Sequence, residues 1–262
     1  MKRAFIFTGQ GEDLGIHNPQ LATFWTSVAL AKILIANDVK PDMVAGLSLG
    51  EYACFAIANV FSVEELEQIL VFRQKIMDEA LRDSNTSMAA CLGASAKEIE
   101  KMATRYGLFV TNYNSPMQTV IGGEKTRINE FKKAFGQFKN TSMIDLRVIG
   151  AFHSPYLNDA SEKMRKFLDR FSEKAPMIPI YCNMTGKRID GNIRETMVKH
   201  LTNPVQFQRI IENMLDDLVE EFISIGIGST PASLIRQICK ENGKRVKIRK
   251  VESLEDIERI TK

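Results

Sequence analysis

Asp42-Met43-Val44-Ala45-Gly46-Leu47-Ser48-Leu49-Gly50-Glu51-Tyr52 is the stretch on which the reading of this chain turns. Asp42–Leu47 is a short apolar run and reads as a buried strand, and a helix is expected from about Leu49 to Ala58. Between them lies Gly46-Leu47-Ser48-Leu49-Gly50, a G-x-S-x-G. Small flanking residues permit a sharp strand-to-helix turn that presents a serine hydroxyl at the helix N-terminus. The N–H groups there can face a developing oxyanion. The same five residues also fit a plain glycine-rich turn, so the surrounding chain has to decide.

Upstream, Ala4–Phe7 reads as a buried strand ending in the turn Thr8-Gly9-Gln10-Gly11. Leu21–Ala36 is apolar nearly all round and is expected to be a buried helix. Downstream, Ser62-Val63-Glu64-Glu65 is a capping-box signature opening a helix to about Leu81. Its apolar stripe is Leu66, Ile69, Leu70, Ile76, Met77 and Ala80, and Arg73 falls within it. A guanidinium on an apolar stripe needs an internal carboxylate or a cleft where it grips a substrate anion.

The middle of the chain changes rhythm. Strands at Met88–Gly93, Leu108–Tyr113, Thr119–Gly122 and Ser142–Val148 alternate with helices at Ala96–Arg105 and Lys125–Phe138. That βαββαβ order is the order of a ferredoxin-like unit. Ile178–Cys182 and Phe222–Ile225 then read as strands, Val205–Asp216 and Pro231–Lys240 as helices, and Val246–Val251 as a last strand. Strands alternating with helices give an α/β chain, read as 1–85 plus 149–262 with 86–148 inserted.

A serine needs a base, and the histidines are His17, His153 and His200. His153 lies in Gly150-Ala151-Phe152-His153-Ser154-Pro155, leaving the last strand of the insert, where it is either a base or a structural histidine. His200 sits at a helix end and can cap carbonyls there, and His17 lies in a polar loop. The glycines around Gln10 would let a backbone N–H approach a reacting carbonyl, or would simply make a turn.

Composition narrows the class. A net charge of +3 gives no reason to invoke nucleic acid. Cys54, Cys91, Cys182 and Cys239 lack C-x-x-C spacing, which argues against zinc and against a secreted disulfide framework. No apolar run is read as long enough to span a bilayer, so a cytoplasmic location is expected. Lys240, Lys244, Arg245, Lys247, Arg249 and Lys250 read as a charge-protected edge strand or as a face for an acidic partner.

Taken in order, the segments resemble the malonyl-CoA:acyl carrier protein transacylases, to which polyketide synthase acyltransferase domains are similar. They are Phe7-Thr8-Gly9-Gln10-Gly11, Gly46–Tyr52, Arg73 with Met77, Asn112-Tyr113-Asn114-Ser115-Pro116, Gly150–Ser154 and Asn203-Pro204-Val205. The resemblance runs from Phe5 to about Arg236 and implies an α/β-hydrolase-like large domain carrying a ferredoxin-like small one. It implies Ser48 as acylated nucleophile, His153 as base, and the N–H groups of Gln10 and Leu49 as oxyanion hole. It further implies that Arg73 pairs with the malonate carboxylate, and that Asn114, Phe152 and Leu47 line the substrate site. Phe152 before His153 matches the pattern of malonyl-selective members, and His200 occupies the place whose main-chain carbonyl orients the base.

Four departures stand out. Leu47 replaces a histidine, His200 replaces a glutamine, and Ser224-Ile225-Gly226-Ile227-Gly228 replaces Glu-x-Gly-Pro-Gly. The stretch from Gly11 to Leu21 is several dozen residues shorter than usual. The implied reaction is a ping-pong malonyl transfer from malonyl-CoA to an acyl carrier protein by a monomer, with no metal or bound cofactor. A hydrolase acting on acyl carriers, a simple serine esterase and a catalytically silent docking relative remain as alternatives.

Overall fold

Strands β1 (Arg3–Phe7), β2 (Met43–Gly46) and β8 (Glu221–Ile225) are runs of apolar residues with almost no polar alternation. Such strands are stable only where both faces of a sheet are covered. The computed structural model, which describes residues 1–10, 18–228 and 230–261, places them at the centre of a five-stranded parallel sheet. Its order is β7-β2-β1-β8-β9, with β7 (Ile180–Tyr181) and β9 (Lys247–Val251) at the edges.

Alternate residues supply two cores. Phe5, Phe7, Val44, Ile223 and Ile225 point to one face, against α1 (Pro19–Ala36), α2 (Glu51–Ile57), α3 (Val63–Leu81), α6 (Asn158–Leu168) and α7 (Ile193–His200). Ala4, Ile6, Met43, Ala45 and Phe222 point to the other, against α8 (Phe207–Asp216) and α9 (Thr230–Glu241). A final helix, α10 (Leu254–Thr261), adds Ile257 to the first core.

The second sheet is antiparallel, in the order β4-β5-β3-β6. It comprises β3 (Thr86–Leu92), β4 (Phe109–Ser115), β5 (Gln118–Glu124) and β6 (Ser142–Asp145). Ala89, Cys91 and Ile121 pack on α4 (Ala96–Arg105) and α5 (Lys125–Phe135), while Met88, Ala90 and Val120 meet Phe152 on the opposite face. The chain is thus a mixed α/β structure with one parallel and one antiparallel sheet.

Several elements differ from expectation. The helix expected through Phe138 ends at Phe135, where Gly136 follows, and β6 stops at Asp145 rather than Val148. Helices α6 and α10 were not anticipated. Helix α1 is not buried all round: Phe24, Val28, Ala31 and Leu34 enter the core, but Trp25 and Ile33 are exposed. It lies on the outer layer, so only one side meets a neighbour. Its 18 residues are apolar and long enough to cross a bilayer by those two criteria alone, contrary to the sequence reading. Its Asn18 cap accepts from Leu21 N–H, so the helix starts two residues earlier than expected.

The capping box of α3 is present: Glu65 N–H donates to Ser62 Oγ at 3.1 Å and Ser62 N–H to Glu65 Oε2 at 2.7 Å. Such a cap contributes about 1 kcal/mol. It fixes the start of the helix that carries Arg73 inward. The charged edge expected at the C-terminal strand is β9, where Lys247 and Arg249 pair with buried Glu221.

Candidate active site

Three segments converge at the C-terminal ends of β1, β2 and β7, where parallel sheets present their loops. After β2 the chain turns through Leu47 into a short 3-10 helix at Ser48–Gly50 and on into α2. Ser48 has a left-handed φ of 52°. Gly46 and Gly50 are required for this turn: a Cβ on Gly46 would collide with the Gly50 backbone, and one on Gly50 with the Phe7 and Thr8 carbonyls. Leu47 N–H donates to Phe7 O at 2.9 Å, tying the elbow to the end of β1. The strand–turn–helix context that the motif demands is therefore present.

Ser48 Oγ lies 2.7 Å from His153 Nε2. The loop bearing His153 is pinned to β3, because Ala151 N–H donates to Thr86 Oγ1 at 3.0 Å and Ser154 Oγ–H to Ala151 O at 2.6 Å. His153 itself has φ 53°. Its Nδ1 lies 2.9 Å from the main-chain carbonyl of His200. A carbonyl only accepts, so Nδ1 carries the proton and Nε2 is free to accept from Ser48. Burial first, then the neighbouring His200 and the more distant Arg73, holds His153 well below the ordinary histidine range, against the opposing effect of its bond to the His200 carbonyl. A neutral imidazole is the form a base must have.

Two residues that sequence reasoning missed complete this frame. Ser48 N–H donates to Asn183 Oδ1 at 2.9 Å, and Asn183 N–H donates to Glu51 Oε1 at 2.7 Å. Glu51 Oε2 in turn lies 3.1 Å from His200 Nδ1. Ser48, Asn183, Glu51, His200 and His153 therefore form a closed ring of polar contacts. The available signals were a lone acid in the apolar helix Glu51–Ile57 and an asparagine directly after a parallel strand.

Arg73 is buried on α3, with its guanidinium donating to Gln20 Oε1 and lying 5.3 Å from the centre of the Tyr52 ring. Its Nε has no hydrogen-bond partner among the described residues. Burial lowers its proton affinity, and Tyr52 and Glu51 oppose that. Tyr52 is pushed up to about 12 by burial, so it stays neutral. No carboxylate pairs directly with Arg73 among the described residues, which leaves a buried cation with neutral first neighbours. Gln20 is the third residue the sequence did not reveal.

The other expected residues are arranged less tightly. Leu47 is half-buried and packs on the second core. Phe152 packs between the first core and the open face of the antiparallel sheet, one residue from His153. Gln10 is exposed just beyond β1, and Gly9 presses against the Leu47 carbonyl, so Gln10 and Leu49 follow adjacent parallel strands. Asn114 on β4 donates to Gln118 at 2.9 Å and leaves its Oδ1 buried without a hydrogen-bond partner among the described residues. It touches neither Ser48 nor His153 by hydrogen bond. Its strand is nonetheless joined to the segment after His200, because Tyr113 N–H donates to Val205 O and Val205 N–H to Thr111 O. Gly11 and His17 lie outside the described residues.

The geometry suits acyl transfer, and comparison with known proteins agrees. A malonyl CoA-acyl carrier protein transacylase of Bacillus subtilis is 30% identical over 243 residues, covering 90% of this chain and 77% of the relative. The polyketide biosynthesis malonyl CoA-acyl carrier protein transacylase BaeC of Bacillus velezensis is 33% identical over 210 residues, covering 78% and 72%. The crystal structure of a malonyl CoA-acyl carrier protein transacylase from Clostridium perfringens superposes with a TM-score of 0.90 at 26% identity, covering 99% of this chain and 96% of that one. The sequence pattern of the acyl transferase domain matches residues 7–255, and the chain belongs to that family of acyltransferases.

Proposed function

We propose that this chain transfers malonyl groups from malonyl-CoA to the phosphopantetheine thiol of an acyl carrier protein, by a ping-pong route through an ester on Ser48. The observation that carries the malonyl specificity is Arg73, a buried guanidinium whose immediate partners among the described residues are the neutral Gln20 and Tyr52. A buried cation of this kind recruits an anion, and a carboxylate can take two of its N–H donors at once. Neither a hydrolase of neutral acyl groups nor a simple esterase has use for it.

His153 Nε2 takes the Ser48 proton as Oγ attacks the thioester carbonyl. The N–H groups of Gln10 and Leu49 are proposed to hold the resulting oxyanion. Collapse expels the CoA thiolate, which takes the proton back from His153. In the second half the carrier thiol gives its proton to His153 and attacks the ester, and Ser48 Oγ recovers it. Each half balances in protons and electrons without a metal or bound cofactor. Phe152, wedged between two cores beside His153, would exclude branched acyl chains, with Leu47 and Asn114 as further lining.

The domain reading that goes with this function is an α/β-hydrolase-like unit of residues 1–85 and 149–262 carrying a ferredoxin-like unit of 86–148. It is supported by the parallel sheet that bears the serine elbow and by the antiparallel order β4-β5-β3-β6. A monomer working in the cytoplasm is the proposed setting. Four buried, unpaired cysteines are consistent with a reducing compartment.

The test is intact-mass measurement after incubation with malonyl-CoA, beside Ser48→Ala. One malonyl group gained, absent in the variant and discharged by a holo carrier protein, is the expected result. CoA release without an adduct would favour a hydrolase, and no reaction at all would favour the silent docking relative.

A further inference from the structure

His200 closes α7 in the run Val198-Lys199-His200-Leu201, where a histidine usually caps carbonyls in solvent. Here its side chain is turned inward and only 2% exposed. Its Nδ1 lies 3.1 Å from Glu51 Oε2, and Glu51 is fully buried; neither that oxygen nor His200 Nε2 makes a hydrogen bond among the described residues. The His200 ring stacks on the His153 ring, with centroids 4.7 Å apart and planes 27° from parallel. The main-chain carbonyl of the same residue accepts from His153 Nδ1. One residue therefore contacts the proposed base twice, through its backbone and through its ring.

Glu51 carries the argument about charge. It accepts the Asn183 N–H and has no lysine or arginine within ion-pair distance among the described residues. A buried carboxylate without a cation is strongly disfavoured. Among the described residues, His200 is the side chain in position to supply that charge. Burial by itself would raise Glu51; the His200 charge and the Asn183 hydrogen bond outweigh it and hold Glu51 below the ordinary carboxylate range.

Among the described residues, the other titratable groups around the pair are Tyr52 and Cys54 on α2, Arg73 on α3 and Cys182 after β7. Tyr52 is pushed up to about 12, Cys182 to about 11, and Cys54 well above its usual value, each mainly by burial. All three stay neutral below pH 8, and Arg73 stays cationic.

We propose that His200 is a positioning residue that carries a proton against Glu51, and that this cation, stacked on His153, keeps the base neutral and active into mildly acidic pH. The proposal rests on His153 serving as the base in acyl transfer. A cation beside an imidazole disfavours its protonation. His153 must be neutral to take the Ser48 proton, so activity falls as pH drops through its pKa. Lowering that pKa moves the fall to lower pH. The main-chain carbonyl fixes the tautomer and the ring charge sets the basicity.

The decisive comparison is His200→Gln, which keeps the carbonyl and removes the charge. The rate of Ser48 malonylation would be followed by quenched-flow intact mass from pH 4.5 to 8. The acid limb of the variant is expected about one pH unit or more above that of the native protein, with rates within a few-fold at pH 8. A merely structural role would lower the rate equally at every pH and leave the limb in place, which would overturn the proposal. Should the variant misfold, ring-nitrogen NMR of the native chain labelled in histidine decides independently. His200 is expected to show two protonated nitrogens, and His153 one, at pH 6.5. A neutral His200 at that pH would also overturn it. Absence of any malonyl adduct would sink the transfer reading, while the ring-nitrogen shifts would still report the Glu51–His200 charge state.

Discussion

Ser48 and His153 stand 105 residues apart in the chain, yet both take a left-handed φ, 52° and 53°, and their side chains meet at 2.7 Å. Each conformation is held by neighbours rather than by preference: glycines clear the way for Ser48, and bonds to Thr86 and Ala151 fix the loop at His153. A non-glycine residue in this region carries about 1–3 kcal/mol of strain. Ser48→Gly should therefore be more stable than Ser48→Ala by about 1 kcal/mol. Neither should form an acyl adduct. Chemical denaturation of the two variants side by side, with intact mass as the activity readout, checks both halves.

Arg73 offers a test of substrate choice. Arg73→Ala should reduce acylation by malonyl-CoA at least a hundred-fold while changing acetyl-CoA acylation little, because acetate has no second carboxylate to lose. Arg73→Lys should recover only part of the malonyl rate, since a point charge cannot make two parallel bonds. Equal losses with both acyl donors would remove the carboxylate role. The ratio of the two kcat/KM values is the quantity to measure.

Asn183 holds the Ser48 amide with its side chain and Glu51 with its own backbone N–H. Asn183→Ala leaves the Ser48 N–H without its acceptor and opens the ring of contacts at one point. A buried donor left unpaired costs about 1–3 kcal/mol. Acylation should fall ten-fold or more through misplacement of Ser48, with that loss in stability seen by urea denaturation. Full activity in this variant would mean that the glycines alone fix the elbow.

The parts of this site that were legible in the sequence are those encoded by local constraint. The elbow needs small residues at Gly46 and Gly50 whatever the rest of the chain does, so the motif announces itself. Arg73 was conspicuous because it interrupts an apolar stripe. Gln20, Glu51 and Asn183 were not, since each acts on a residue far away in sequence and obeys no local rule. The same logic explains the missed helices. In α6 the core contacts Ala160, Met164 and Leu168 recur every fourth residue, but a strongly polar surface hides them. In α10 the Ser253 cap and Asp256 mark a start, yet only Ile257 is buried. Helix α1 failed in the opposite sense: its apolar outer side, with Trp25 and Ile33, implied burial that its place in the outer layer does not provide.

Stability at acid pH tests the far end of the parallel sheet. Glu221 opens β8 with its side chain 2% exposed, and its oxygens meet Arg3 Nε at 2.6 Å, Arg249 Nε at 2.9 Å and Lys247 Nζ at 3.3 Å. Burial alone would raise its pKa; Arg3 and Lys247 outweigh burial and hold it below the ordinary carboxylate value of 4.5. A carboxylate whose folded pKa is depressed stabilises the fold above its unfolded pKa, and the contribution is lost as pH falls through the folded value. Breaking a buried pair typically costs about 3–5 kcal/mol. The three cations here are partly exposed to solvent, so Glu221→Gln should cost less, about 2 kcal/mol at pH 7. The difference between native protein and variant should hold constant down to about pH 5 and shrink below pH 4.5, where protonation makes Glu221 resemble its replacement. Urea denaturation at pH 7, 5 and 3.5 reads this directly. A gap that persists unchanged at pH 3.5 would mean that Glu221 contributes through packing and hydrogen-bond shape, with its charge playing no part.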